Sequence, residues 1–160
     1  MMLRVLALLI ALSSSALVQA GPKEDAQAAF EKFYSSFVAG NGETVAALFT
    51  PDSLFYGTGS PELVTTPEGV RQYFNAALSG PSTVKATLLR SSALVLSDNV
   101  VLISGMWQSE RLLDGKSTVN GPLRISVVMN KRGDRWQVAQ FHNSPAPKSP
   151  AATPAVAPSR

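Results

Sequence analysis

The chain has 160 residues, no cysteine and one histidine, which excludes a disulfide framework and a thiol nucleophile and leaves few ligands for a zinc site. Its formal net charge is +3, but three of the 14 basic residues, Arg4, Lys148 and Arg160, lie near the two ends. Residues 21–147 therefore carry 11 basic and 11 acidic side chains. A domain with balanced charge has no electrostatic footprint for a polyanion, so we expect no nucleic-acid partner. The lack of cysteine and the single histidine predict no metal cofactor.

The first 20 residues have the pattern of a cleavable secretory signal. Arg4 supplies a positive start, residues 5–12 are apolar, and Val18-Gln19-Ala20 places small residues where signal peptidase cleaves. The alternative is an N-terminal membrane anchor, but Ser13-Ser14-Ser15 breaks the apolar run short of the roughly 20 residues that a bilayer span needs. We therefore expect a periplasmic or secreted mature protein that begins at Gly21 and has no membrane association.

Two helices and a short strand are predicted after the signal. Apolar residues recur at steps of three and four over residues 24–38, which is typical of an amphipathic helix, and Gly40-Asn41-Gly42 ends it. A second short helix is predicted over residues 43–49, where Thr50-Pro51-Asp52 stops it. A strand is predicted over residues 54–56.

A third helix is predicted to begin at Pro67, because Thr66 has the chemistry of an N-cap and proline is favoured at the first helical position. Its apolar residues continue to Leu78, and Gly80-Pro81 closes it.

The second half of the chain predicts a sheet. Four segments rich in Val, Ile, Leu and Trp are separated by short turn sequences: residues 84–95, 100–113, 117–130 and 135–143. Short connections predict an antiparallel meander, and helices followed by a sheet predict an α+β domain over residues 21–145. Residues 146–160 are rich in Pro and Ala and are predicted to form a disordered tail.

The closing strands also carry a family resemblance. Residues 124–128 and 132–145 run from a basic hairpin through Trp136 to Phe141-His142-Asn143-Ser144. This stretch resembles the association (hub) domain of calcium/calmodulin-dependent protein kinase II and its small bacterial relatives. The order of elements resembles the nuclear transport factor 2-like superfamily, which includes SnoaL-like polyketide cyclases and ketosteroid isomerases.

The resemblance implies a cone-shaped α+β fold, with three helices packed on a curved antiparallel sheet around a pocket. It also implies a homodimer formed through the sheet. Of the pocket arginines of the hub domain, only Arg124 has a counterpart, since Gln108 and residues 75–78 fall where others are expected. A strongly anionic ligand is therefore disfavoured.

His142 is the candidate catalytic residue, because histidine is the side chain whose charge changes near neutral pH. Strand alternation predicts that it shares a face with Trp136, Val138 and Gln140, and a polar Gln and His beside Trp and Val suggest a pocket lining. The alternative is a histidine that forms a hydrogen bond at the end of the strand and closes the domain or faces a subunit.

Arg124 lies at the start of a strand and is a candidate to bind a carboxylate. The alternative is that it is a solvent-exposed arginine at the end of the strand. On the preceding strand, Glu110 is a candidate carboxylate base or a solvated cross-strand partner of a basic residue. Alternation on that strand gives two faces, and the pattern does not say which one points inward. One face carries Trp107, Ser109 and Arg111, and the other carries Met106, Gln108 and Glu110.

Three tyrosines, Tyr34, Tyr56 and Tyr73, are amphipathic aromatics suited to line a pocket or to fill a core. Residues 57–61 form a Gly-rich loop that lacks the spacing of a nucleotide-binding motif and is predicted to lie at the rim of the cone.

These patterns favour an exported domain that binds a small molecule and needs no cofactor. The predicted ligand-binding residues are Tyr34, Tyr56, Trp107, Arg124, Gln140 and His142. One alternative is an isomerase, cyclase or lyase that uses His142 with Glu110 or a tyrosine, although no complete acid and base set can be assigned. The other is a dimeric or hub-like assembly module.

Overall fold

The computed structural model describes residues 21–147, so the predicted signal of residues 1–20 and most of the predicted tail lie outside the described residues. Three helices pack on a curved five-stranded sheet, which confirms the predicted α+β fold. Four of the five strands follow the helices in the chain, and the first strand comes before the third helix. The elements are α1 (Pro22–Val38), α2 (Gly42–Ala46), β1 (Phe49–Tyr56), α3 (Pro67–Leu78), β2 (Thr83–Ser97), β3 (Val100–Leu113), β4 (Lys116–Arg132) and β5 (Arg135–Pro145).

Helix α1 buries one aromatic stripe, as its periodicity predicts. The buried residues are Ala26, Phe30, Phe33 and Phe37. Helix α3 begins as predicted, because the Thr66 hydroxyl accepts a hydrogen bond from the backbone N–H of Gly69 at 3.1 Å and Pro67 occupies the first turn. None of the helices within the described part of the chain is long and apolar enough to cross a bilayer.

The prediction that α2 extends to Phe49 is wrong. The helix ends at Ala46, and the Leu48 carbonyl accepts a hydrogen bond from the backbone N–H of Val138 at 2.9 Å. Phe49 then starts β1, which is longer than the predicted strand. A backbone partner on β5 therefore decides the conformation of these residues over their local helical pattern.

The sheet has the strand order β1-β5-β4-β3-β2. Strands β2 to β5 pair antiparallel in sequence, which confirms the predicted meander. Strand β1 adds to the free edge of β5 in parallel, a pairing that the sequence did not predict.

Strand β5 contains a β-bulge at Ala139. Val138 lies opposite Met129 on β4 and Gln140 lies opposite Val128, so Ala139 is an extra residue with no partner. Two consecutive residues, Ala139 and Gln140, therefore separate the buried Val138 from the buried Phe141. The bulge shifts the alternation of all later residues of β5 by one position.

The sheet has two distinct faces. The face that packs against α1 and α3, called here the inner face, contributes most of the buried core. Its buried side chains from β3, β4 and β5 are Val101, Ile103, Trp107, Leu123, Ile125, Val127, Met129, Val138 and Phe141. The opposite, outer face carries the alternate residues, and no helix of the described chain covers it.

Candidate functional site

A cavity of about 180 Å³ lies between the helices and the inner face of the sheet. Its walls come from α1, α3, β1 and the loop after it, and strands β3 to β5. The lining residues are Phe33, Phe37, Phe55, Thr58, Gly59, Tyr73, Phe74, Ala77, Trp107, Ser109, Arg111, Asn120, Leu123, Phe141 and Asn143.

Aromatic side chains account for seven of the fifteen residues that line the cavity. Phe33 stands at the centre, with its ring centroid 5.2 Å from that of Phe141 and 5.8 Å from that of Phe74. Trp107 meets Phe37 edge to face at 5.6 Å. Rings in such edge-on and tilted arrangements pack closely and expose both faces and edges to the space they enclose.

A buried amide connects the cavity wall to the loop at its rim. Asn143 is 7 % exposed; its Oδ1 accepts a hydrogen bond from Trp107 Nε1 at 2.9 Å, and its Nδ2 donates to Thr58 Oγ1 at 2.6 Å. The Tyr73 hydroxyl accepts a hydrogen bond from the backbone N–H of Gly59 at 3.4 Å. The loop of residues 57–61 therefore lies at the rim of the cavity, held there by side chains from β5 and α3.

Arg111 stands where the cavity meets the end of α3. Its guanidinium donates to Ser82 Oγ at 3.1 Å and to the carbonyl oxygen of Ala77 in the last turn of that helix. Within residues 21–147, the lining holds this one charged side chain and no Asp, Glu or His. The same part of the chain contains no group of three or more potential metal ligands of the His, Cys, Asp or Glu type.

Two of the predicted site residues lie at or beside the cavity. Trp107 lines it, and Tyr34 packs edge-on against Trp107 at 5.7 Å. The Tyr34 hydroxyl is buried and has no hydrogen-bond partner among the described residues. Burial raises the pKa of Tyr34 above its ordinary value, so the phenol stays neutral at physiological pH.

The other four predicted residues lie on the outer face. His142 is exposed, and its ring centroid is 5.9 Å from that of Tyr56 on the neighbouring strand. Arg124 is exposed opposite Met106, and Gln140 lies opposite Val128. The structure therefore brings His142 and a tyrosine together, but outside the cavity.

The predicted common face for Trp136, Val138, Gln140 and His142 is wrong. Regular alternation would place all four together, but the extra residue Ala139 turns Gln140 and His142 to the side opposite Val138. Ligand binding by the residues of the outer face stays a prediction.

Glu110 also lies on the outer face, where its carboxylate accepts a hydrogen bond from Ser117 Oγ at 2.5 Å. It is paired with Lys85 across the strands, as the cross-strand alternative predicts. His142 lies in the cross-strand row of Ser104, which is six residues from Glu110 on β3. At about 3.3 Å per residue, the two side chains are about 20 Å apart along the sheet, too far to act on one substrate atom.

Sequence reasoning missed most of the polar residues of the cavity, namely Thr58, Ser109, Arg111, Asn120 and Asn143. A usable signal existed on β3, because Trp107, Ser109 and Arg111 were predicted to share a face. A large tryptophan is favoured on the buried side of a half-exposed sheet, which would have turned Arg111 inward with it. No comparable signal existed on β5, where the bulge reverses the pattern.

Comparison with known proteins identifies the family. A SnoaL-like domain model matches residues 26–148, which is most of the chain. The chain belongs to the SnoaL-like domain family. No curated protein matches this SnoaL-like chain.

Solved structures share its fold. A Xanthomonas campestris protein described as a calcium/calmodulin dependent protein kinase II association domain is 24% identical, with a TM-score of 0.69 over 76% of this chain and 86% of that chain. A Streptomyces avermitilis protein of the NTF2-like family, described as a dehydratase, is 17% identical, with a TM-score of 0.69 over 78% and 97% of the two chains. The hub homology domain from Chlamydomonas reinhardtii is 17% identical, with a TM-score of 0.67 over 80% and 100%. The nuclear transport factor 2-like resemblance is thereby confirmed at the level of the fold.

Proposed function

We propose that this SnoaL-like chain is an exported domain that binds a small molecule in the cavity between its helices and the inner face of its sheet. The observation that carries the proposal is the composition of the cavity wall. Seven of the fifteen lining residues are aromatic, and polar groups converge on the same space, chiefly from Tyr73, Ser109, Arg111 and Asn143. An apolar wall with a small number of placed polar groups is the usual composition of a ligand site.

Binding is favoured over proton-transfer catalysis. An isomerase or lyase needs an acid or base within hydrogen-bond reach of the substrate, and the cavity lining of residues 21–147 offers no carboxylate or imidazole. The enzymatic alternative would use His142 with Glu110 or a tyrosine. His142 and Glu110 both lie on the outer face and far apart, and Tyr56, the tyrosine beside His142, also lies outside the cavity.

The binding proposal is tested with a matched pair of substitutions on one strand. Ser109 is 6 % exposed and lines the cavity, so Ser109→Leu fills it, whereas Ser104→Leu adds the same side chain on the exposed outer face of β3. We expect ligand-observed NMR with a library of small aromatic and aliphatic fragments to detect binding to the native protein. Binding should be lost in Ser109→Leu and kept in Ser104→Leu. Fragments that bind both variants equally would contradict a site in this cavity.

The export proposal rests on residues 1–20 and has its own test. We expect expression of the whole chain in a Gram-negative host to yield a periplasmic protein whose first residue is Gly21. Ala20→Leu removes the small residue at the cleavage position and should leave an unprocessed precursor. A cytoplasmic product that retains the first 20 residues would contradict export.

The outer face favours a second function, assembly with another copy of the chain. One cross-strand row consists of Leu94, Leu102, Val128, Gln140 and Leu54, and all of these except Gln140 are apolar. Leu94 is 58% exposed and Leu54 is 45% exposed. Five strands spaced about 4.8 Å apart, with a mean length of about 13 residues or about 43 Å, give a face of roughly 800 Å², close to the roughly 800 Å² that each partner of a stable complex buries. A second copy offers a surface of matching size that carries the same apolar row.

Sedimentation analysis tests the assembly. We expect a dimer for the native protein and a monomer for Leu94→Glu, which places a charge in the apolar row. Leu63→Glu is the control, because Leu63 is 41% exposed in the loop after β1 and lies away from that row. A native protein that stays monomeric at high concentration would contradict the proposal.

A further inference from the structure

The size of the inner cavity limits what it can hold. A cavity of about 180 Å³ is slightly larger than the roughly 150 Å³ apolar cavity that accommodates benzene in an engineered protein. It therefore has room for one six-membered ring with a small substituent and is too small to enclose a steroid or a tetracyclic polyketide.

The wall of the cavity selects a flat, apolar body. Phe55 stacks on Phe141 with a centroid distance of 5.5 Å and an interplanar angle of 21°. Tyr73 meets Phe55 edge to face at 4.7 Å. A planar aromatic ligand continues this arrangement, because it can present its edge to one ring and its face to another.

Charge then selects the substituent. Arg111 is the one charged side chain in the lining of the described residues, and it is half-buried. Ser82 Oγ and the Ala77 carbonyl each take one hydrogen bond from its guanidinium, which has five N–H donors in all. Both contacts are to neutral oxygens, so they leave the positive charge uncompensated. On its other side the side chain borders a shallow depression with Asp114 and Lys116, which carry opposite charges.

We propose that the cavity binds a monocyclic aromatic carboxylate, with the ring between the aromatic side chains of α1, α3 and β5 and the carboxylate on the guanidinium of Arg111. The inference rests on the proposed binding function and assigns its ligand class. An arginine matches a carboxylate with two parallel hydrogen bonds, and Ser109 from the same face of β3 adds a hydroxyl nearby. One arginine in the lining suits a single negative charge.

Isothermal titration of the native protein with benzoate and benzamide tests the ligand class without any substitution. The two probes share the ring and differ in charge. A fragment of this size is expected to bind with a Kd of about 0.1 to 1 mM. We expect benzoate to bind at least about tenfold more tightly than benzamide, because a charged hydrogen-bonded pair is about twice as strong as a neutral one.

Substitutions at two arginines, Arg111 and Arg124, locate the charge. Arg111→Gln should abolish the preference for benzoate while benzamide binding persists, and Arg111→Lys should retain part of the preference and guards against a loss of folding in the first variant. Arg124→Gln makes the same change on the outer face, where the sequence predicts a carboxylate-binding arginine. We expect it to leave the preference intact.

The outcomes separate the two levels of the proposal. Equal affinities for benzoate and benzamide, or a preference that disappears in Arg124→Gln instead of Arg111→Gln, would overturn the carboxylate assignment and leave binding in the cavity standing. Failure of both probes and of the fragment library to bind would overturn the proposed function as well.

Discussion

The inner and outer faces of the sheet divide the chemistry of this SnoaL-like domain in an unexpected way. The inner face, which encloses the cavity, presents aromatic rings, amides and one arginine. The outer face, which no helix covers, presents His142, Tyr56, Arg124 and Glu110, the residues whose types are most often associated with catalysis. The presence of reactive residue types therefore does not locate the enclosed site in this chain. The site is instead located by the side chains that the strands direct toward the helices.

The first prediction tests how much more the inner face contributes to the stability of the domain than the outer face does. Phe33 is 2% exposed and contacts the rings of α1, α3, β1 and β5. We expect Phe33→Ala to lower the free energy of unfolding by about 3–5 kcal/mol, from lost burial and the void it leaves. Urea unfolding at low protein concentration measures the change. Leu94→Ala on the outer face should change stability by less than about 0.5 kcal/mol. Similar losses of unfolding free energy in the two variants would show that the two faces contribute equally to stability.

The second prediction compares two consecutive residues of β5 that point to opposite faces. Asn143→Ala removes the acceptor of the buried Trp107 Nε1, and an unpaired buried donor costs about 1–3 kcal/mol. His142→Ala removes an exposed side chain and should cost less than about 0.5 kcal/mol. Thermal unfolding of both variants measures the contrast. A larger loss for His142→Ala would reverse the assignment of faces after the bulge.

The third prediction concerns the buried hydroxyl of Tyr34, which has no hydrogen-bond partner among the described residues. Tyr34→Phe removes the buried hydroxyl that lacks a partner and should raise the free energy of unfolding by up to about 1 kcal/mol. Because the folded pKa lies above the ordinary 10.0, the unfolded chain loses this proton first. The associated stability is complete below pH 10 and is lost as pH rises, so the variant should resist alkali better. A destabilised variant would indicate that the hydroxyl has a binding partner.

The fourth prediction is the smallest and concerns an exposed ion pair at the edge of the sheet. Asp52 accepts two hydrogen bonds from Arg132 Nη2, at 2.8 and 2.9 Å, and these bonds lower the pKa of Asp52 below its ordinary 3.8. The stabilisation is complete above that value and is lost as pH falls through the lowered pKa. Asp52→Asn should therefore make acid unfolding below about pH 4 less steep. Glu62→Gln, an exposed loop change of the same kind, should leave the acid limb unchanged.

Local signals in the sequence were sufficient for most of the fold. The period of α1, the cap of α3 and the turn residues between the strands each act over a few residues, and the structure confirms the elements they predict. The end of α2 and the parallel pairing of β1 depend on β5, which is about 90 residues away in the chain. Such distant partners leave no local pattern.

The site was less predictable than the fold for a related reason. On β3, alternation grouped Trp107, Ser109 and Arg111 as the structure does, and only the direction of the face was open. On β5, the bulge at Ala139 has no sequence signature, since alanine fits regular and bulged strands alike. One undetected residue was enough to move His142 from the expected wall of the cavity to the solvent.

The bulge also changes which residue of Phe141-His142-Asn143-Ser144 is offered to a ligand. His142 faces outward, and its neighbour Asn143 places a polar group in the cavity. A substitution of His142 therefore leaves the chemistry of the cavity unchanged, whereas a substitution of Asn143 alters it.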